Sequence, residues 1–254
     1  MPRLVLLAHP AVASAIAREF GRDIEYHETI ASTQTRARER ADGGAIRGIV
    51  VANAQTAGQG THGRTWIAAP GTSVLSSWIL RPAPAAPSLF AALAGVAVAR
   101  ALARLGCEGA SLKWPNDVEL DGRKVAGALA HGSSDARGGV LVIGIGVNVH
   151  QRELPAQIER PATSLAIAGH HVDRLALLAR ITTELDRLEN ADERRRAMTE
   201  WRERSTLLGK EVEVRSQGRS FEGVATAIDD EGALLVRTKT GDERVFAGDV
   251  VVKR

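Results

Sequence analysis

The chain has 254 residues, 44% of them hydrophobic and 25% charged, the make-up of a globular protein and not of a disordered one. Lys+Arg 33 against Asp+Glu 30 leaves only +3, and no segment gathers the basic face that phosphate-backbone binding requires, so nucleic acid is not an expected partner. The longest apolar run, Leu89–Ala99, is 11 residues, short of the roughly 20 a membrane span needs; the one cysteine, Cys107, forms no internal disulfide, which points to the cytoplasm.

In chain order, Leu4–Ala8 reads as a short strand and Ala11–Phe20 as a helix behind Pro10. Ser32 and Thr33 suit the cap of a helix running to about Ala41. Ile49–Asn53 is a predicted strand, followed by a glycine-rich loop from Gly58 to Gly63. Ser73–Leu80 is another strand, and Ser88 caps a helix to about Leu105 with Arg100 and Arg104 on its wet side. Asp121-Gly122, between Val118–Leu120 and Lys124–Ala130, is a strong hairpin signal. Val140–Ile145 reads as a buried strand, and Asp173–Glu189 and Asp192–Leu207 as helices. Beyond Gly209 the pattern turns to short alternating strands, Glu211–Arg215, Phe221–Ile228, Leu234–Thr238 and Arg244–Val252, which read as a small closed or nearly closed barrel. Two domains are therefore expected, 1–206 and 207–254.

Three segments carry chemistry. Gly58, Gly60 and Gly63 spell G-x-G-x-x-G after a strand, yet no helix follows and no acid occurs from Gly63 to Arg100, so a dinucleotide fingerprint fails. A structural turn and an anion cradle both remain open for this loop; Arg64 and Trp66 beside it favour the cradle. The second segment is Lys113-Trp114-Pro115-Asn116-Asp117, followed by Arg123-Lys124. Of 33 basic residues only five are lysine, and two of them, Lys113 and Lys124, fall here around Asp117, a grouping that suits a polyanion with its metal ion. The third is Gly144-Ile145-Gly146-Val147-Asn148, where alternating glycine marks either close approach of a ligand or tight packing.

Taken together, Ser32-Thr33-Gln34, Gln55 to Trp66, Lys113 to Asp117, Lys124-Val125-Ala126-Gly127 and Gly144 to Asn148 resemble the biotin protein ligases in order and spacing. The resemblance implies an α+β fold: a mixed, largely antiparallel sheet with flanking helices, akin to class II synthetases, plus a small C-terminal SH3-like β-barrel. It implies ATP-dependent attachment of biotin to a lysine of a biotin carboxyl carrier domain through biotinyl-5′-AMP, with Mg²⁺ as cofactor and biotin and ATP as substrates.

By the same resemblance, Ser32, Thr33 and Gln55 would hydrogen-bond the ureido ring, with the backbone of Gly58 and Gln59 completing that site, and Gln34, Gly60 and Thr61 are further biotin-binding candidates. Lys124 would bind the biotin carboxylate and then the acyl phosphate, and Gly127, Gly144 and Gly146 would let backbone close on the ligand. Arg64, Lys113 and Asn116 would contact phosphates, Trp66 and Asn148 the adenosine, and Asp117 the Mg²⁺, directly or through water. Lys124, Arg64 and Lys113 are the catalytic candidates. Where the family writes Gly-Arg-Gly-Arg-x-Gly-Arg, this loop has Gln59 and Thr61 for the first two arginines.

A lipoate or octanoyl transferase of the same superfamily is the alternative reading, and a biotin-binding module or repressor with weak ligase activity is another. With 31 residues before Ser32, and three bases against four acids in the first 30, a DNA-binding domain is not expected. A homodimer stays open. His170-His171 lacks further ligands at metal spacing, Arg194-Arg195-Arg196 reads as a solvated helix face, and Cys107 reads as packed.

Overall fold

The computed structural model describes residues 22–155, 161–216 and 218–253; the expected strand Leu4–Ala8 and helix Ala11–Phe20 lie outside them. Seven strands form the larger sheet: β1 (Asp23–Ile30), β2 (Arg47–Gln55), β3 (Ser73–Leu80), β4 (Ser111–Lys113), β5 (Asp117–Leu120), β6 (Arg123–Asp135) and β7 (Gly138–Asn148). Their order is β1-β2-β3-β7-β6-β5-β4. Only β1 and β2 run parallel and every other neighbour is antiparallel, as expected for a mixed, largely antiparallel sheet. Among the described residues four α-helices accompany it: α1 (Thr33–Asp42), α2 (Pro87–Ala103), α3 (Arg174–Arg187) and α4 (Ala191–Glu203).

The two-residue period of the strands assigns each face its own task. Val74, Trp78 and Leu80 of β3 and Ile143, Ile145 and Val147 of β7 join Phe90, Leu93 and Val96 of α2 and Leu177, Leu178 and Ile181 of α3 in the main core. The other face buries Val50, Ile79, Val140 and Val142 beneath Ala37 and Ala41 of α1. That shorter helix leaves the C-terminal end of β7 outside this cluster, and there Gly144 and Gly146 lie.

Local chemistry sets the boundaries. Ser32 caps α1, its Oγ accepting from the Thr35 N–H. Asp121 and Gly122 both take positive φ, 50° and 70°, as a type I′ hairpin turn demands. Two expectations for α2 fail. Ala86 and not Ser88 precedes the helix, because Pro87 at the first position needs no amide partner; the Ser88 hydroxyl donates to Glu231 O at 3.3 Å. Arg100 is not on a wet face: it lies 2.6 Å from Glu193 and 2.7 Å from Glu200, with Glu184 at 3.6 Å. Helices α3 and α4, distant in sequence, arrive on that side. Arg104 is exposed as expected.

After α4 the chain forms β8 (Glu211–Ser216), β9 (Arg219–Ile228), β10 (Leu234–Thr238), β11 (Gly241–Val245) and β12 (Asp249–Val252). The order is β11-β10-β9-β8-β12, antiparallel throughout. The expected single strand Arg244–Val252 is two, broken at residues 246–248. Gly248 crosses β8 so closely that a Cβ on it would lie 2.6 Å from Arg215 O. Since the two end strands β11 and β12 are joined by that short link, the ribbon curls back towards itself, in keeping with the expected small barrel. It rests on the larger sheet through Trp114, whose Nε1 donates to Gly232 O at 2.9 Å.

Candidate functional site

The face of β7 that α1 leaves open carries Gly144, Gly146 and Asn148, two residues apart and therefore aligned. Here the chain's own side chains require glycine. A Cβ on Gly144 would lie 2.6 Å from Gln34 Oε1, and one on Gly146 would lie 2.5 Å from the Trp66 ring. On Gly127 of β6 it would lie 3.0 Å from Lys124 Nζ and 3.4 Å from Trp66. Both open readings of the glycine strand therefore meet: the residues are packed tightly, and what they are packed against lines a cleft of about 670 Å³.

One end of the cleft is neutral and polar. Gln55 Oε1 accepts from the Thr33 backbone N–H at 2.7 Å and from its hydroxyl at 3.0 Å. Ser77 Oγ lies 3.0 Å from both Thr33 Oγ1 and Gln34 Oε1. Gln34 Nε2 donates to Leu129 O at 3.3 Å and Val142 O at 3.2 Å. Ser32, Thr33 and Gln34 are all nearly buried. The capped start of α1 thus presents a mixed donor and acceptor surface that suits a neutral group with N–H and C=O sides.

The other end is cationic. Lys124 Nζ sits 2.5 Å from Asp117 Oδ1 and 5.6 Å from the Trp66 ring centre, an ammonium held between a carboxylate and an aromatic face. Buried Glu119, on the same strand as Asp117, has its carboxyl pushed up by desolvation; Lys113 draws it down and Asp117 adds to the rise. The side-chain nitrogen of Asn116 donates to Ala128 O, and that of Asn148 to Thr163 O at 3.0 Å.

The glycine loop folds on itself. Trp66 N donates to Gly58 O at 3.0 Å and Gly60 N to Arg64 O at 2.8 Å, around a single 3-10 turn at Thr61–Gly63. A Cβ on Gly58 would lie 2.6 Å from Trp66 O, so that glycine answers to backbone crossing. The loop is pinned on both sides. Gln59 Nε2 donates to Thr35 Oγ1 at 3.0 Å, while Arg64 reaches Asp249 of β12 at 3.0 Å and donates to Thr61 Oγ1 at 2.9 Å.

Of the residues singled out in the sequence, Ser32, Thr33, Gln34, Gln55, Gln59, Gly60, Thr61, Arg64, Trp66, Asn116, Lys124, Gly127, Gly144, Gly146 and Asn148 line this one cleft. Gly58, Lys113 and Asp117 do not form its wall; Lys113 ends the edge strand β4, and Asp117 stands behind Lys124. Sequence reasoning assigned no role to Ser76, Ser77, Ile145, Ala162, Arg215, Asp249 and Val251, which also line it. Ser77 had a signal, a serine pair within an apolar strand. The last three come from the second sheet, and nothing in short alternating strands says which of their residues reach across 185 positions to Arg64.

Comparisons with known proteins agree with this geometry. The model of the Biotin/lipoate A/B protein ligase family matches residues 26–148, and that of the Biotin protein ligase C terminal domain matches 207–253. The Bifunctional ligase/repressor BirA of Bacillus subtilis is 33% identical over 242 residues, covering 91% of this chain and 74% of that protein. The Biotin--[acetyl-CoA-carboxylase] ligase of Mycobacterium tuberculosis is 35% identical over 224 residues, 83% of this chain and 81% of the relative. Among solved structures, the biotin protein ligase from Aquifex aeolicus in complex with biotin and ATP superposes with a TM-score of 0.78 at 28% identity, covering 91% of this chain and 98% of that one. The cleft, its motifs and relatives of this extent place the chain in the biotin protein ligase family.

Proposed function

We propose that this protein joins biotin to ATP, forming biotinyl-5′-AMP and pyrophosphate, and then passes the biotinyl group to a lysine of a biotin carboxyl carrier domain. The observation that carries this is the cleft itself: a neutral hydrogen-bonding end and a cationic, aromatic end lie on one glycine floor. A bicyclic urea fits the first and an acyl phosphate with its base fits the second.

In the first step the biotin carboxylate attacks the α-phosphorus and pyrophosphate leaves. In the second the carrier amine attacks the acyl carbon and AMP leaves. The attacking atoms belong to the substrates, so the protein contributes position and charge. Ser32, Thr33, Gln34 and Gln55 take the ureido ring, with the loop backbone at Gly58, Gln59, Gly60 and Thr61 closing over it. Lys124, released in part from Asp117, meets the carboxylate and then the phosphate charge that develops on it. Arg64 and Asn116 take phosphate oxygens, Lys113 adds positive charge from the strand edge, and Trp66 and Asn148 hold the adenosine.

The donor set fits a Mg²⁺ that travels with ATP and not one caged by protein. Among the described residues no group of three or more His, Cys, Asp or Glu is placed to hold a metal, and Asp117 is already engaged by Lys124. Asp117 would meet such an ion through water, with nucleotide oxygens supplying the rest of its shell; the ion would neutralise phosphate charge. Among the described residues no helix is long and apolar enough to cross a membrane, and the cytoplasm, where ATP is at hand, is the setting this reading assigns.

The test is incubation with labelled biotin, ATP, Mg²⁺ and a carrier domain. Label on the carrier lysine is the expected result. Transfer of labelled octanoate or lipoate in place of biotin would give the chain to the other branch of its superfamily.

A further inference from the structure

Asn148 ends β7 on the cleft side, and its amide is held at both ends. Nδ2 donates to Thr163 O at 3.0 Å; Oδ1 accepts from Gln151 Nε2 at 3.0 Å. Gln151 is only 5% exposed, and the same nitrogen donates to Ser73 Oγ at 2.7 Å. Its Oε1 is buried without a hydrogen-bond partner among the described residues, so the nitrogen end is what ties this side chain to its surroundings.

These contacts fix the sense of the Asn148 amide. A carbonyl can only accept, so Thr163 O selects the nitrogen end; Gln151, with its N–H facing Asn148, selects the oxygen end. Turned over, the amide would set oxygen against oxygen on one side and N–H against N–H on the other. An amide offers two N–H donors and two acceptor sites, which leaves Asn148 one of each for the cleft. A donor beside an acceptor in fixed sense matches the edge of adenine, where an amino group adjoins a ring-nitrogen acceptor. A 6-oxopurine puts a carbonyl in place of the amino group, beside N1–H on one edge and the N7 acceptor on the other, so the match is lost on either.

We infer that Gln151 is a positioning residue for nucleotide choice: by locking the amide of Asn148 it makes the cleft prefer adenine to a 6-oxopurine. The inference rests on the reading that the base of ATP lies against Asn148. The experiment compares wild type with Gln151→Met, which keeps length and apolar stem but cannot donate. Biotin-dependent pyrophosphate release is measured with ATP and with inosine triphosphate. The ratio of their kcat/KM values is expected to fall roughly fivefold in the variant, the scale of one neutral hydrogen bond. KM for biotin should stay within about twofold. Ser73→Ala, which removes the other anchor of Gln151 from outside the cleft wall, should move the ratio the same way by about twofold, and it decides the matter should Gln151→Met not fold. Unchanged ratios in a wild type and variants that all release pyrophosphate overturn this inference alone. A wild type that releases none with biotin and ATP overturns the ligase reading, and the inference with it.

Discussion

The two faces of β7 are built from the same eleven residues, Gly138–Asn148, yet do opposite work. Ile143, Ile145 and Val147 point into the main core under α2 and α3. Gly144, Gly146 and Asn148 point into the cleft. On the first face side-chain volume supplies stability; on the second its absence leaves room for Gln34, Trp66 and a substrate. Stability and function are thus separated by one residue of register, and changes on the two faces should have different signatures.

The largest effect is expected at the glycine floor. Gly146→Val would place a carbon 2.5 Å from the Trp66 ring, forcing the ring off the floor. Adenylate formation should fall at least about a hundredfold, near 2.7 kcal/mol, while the melting temperature shifts by a few degrees at most. Lys124→Ala, at the cationic end, should lower the rate of pyrophosphate release by about 10²–10³, the scale of losing one charged donor to a developing oxyanion. On the opposite face, Ile143→Ala, buried in the main core and outside the cleft wall, should cost about 2–5 kcal/mol of stability, read by denaturant unfolding, with kcat per folded molecule within about twofold of wild type.

A smaller effect sharpens the cleft side. Thr61, which accepts from Arg64 at 2.9 Å, stands where the family pattern has arginine. Thr61→Arg should slow the dissociation of preformed biotinyl-5′-AMP by about tenfold, the scale of one charge-assisted hydrogen bond. Equal off-rates would show that pinning by Gln59 and Asp249 already suffices.

The smallest effect is pH-dependent and structural. Burial raises the Glu119 carboxyl in the folded state, so the folded chain keeps that proton to a higher pH than the unfolded one. Stability is therefore lost as pH rises through that window, and the ionised group opposes folding above it. Glu119→Gln should melt higher than wild type at pH 8, and the gap should close below about pH 4.3, where the unfolded chain is protonated as well. A gap independent of pH would mean that Glu119 acts through packing alone.

Much of the cleft was legible in the sequence because its parts are local. Ser32 announces the start of α1, Asp121-Gly122 the hairpin that carries Lys124, and alternating glycine the floor of β7. The lack of an acid after the glycine loop excluded a dinucleotide site without any structure. Long-range packing was less legible. Arg100 looks wet on its own helix and becomes an ion-pair centre only when α3 and α4 arrive. β1 gains its place by parallel pairing with β2, and the three residues of β4 are too few for any periodicity. Arg215, Asp249 and Val251 reach the cleft because the second sheet docks beside it, and no pattern within short strands encodes that approach.

The central claim is that the glycine face of β7 is where biotin and ATP react and the apolar face is not. Biotin-dependent exchange of labelled pyrophosphate into ATP, measured on wild type, Gly146→Val and Ile143→Ala at a temperature where all three are folded, tests it most directly. Exchange should be present in wild type and Ile143→Ala and lost in Gly146→Val. Undiminished exchange in Gly146→Val, or none in wild type, would contradict it.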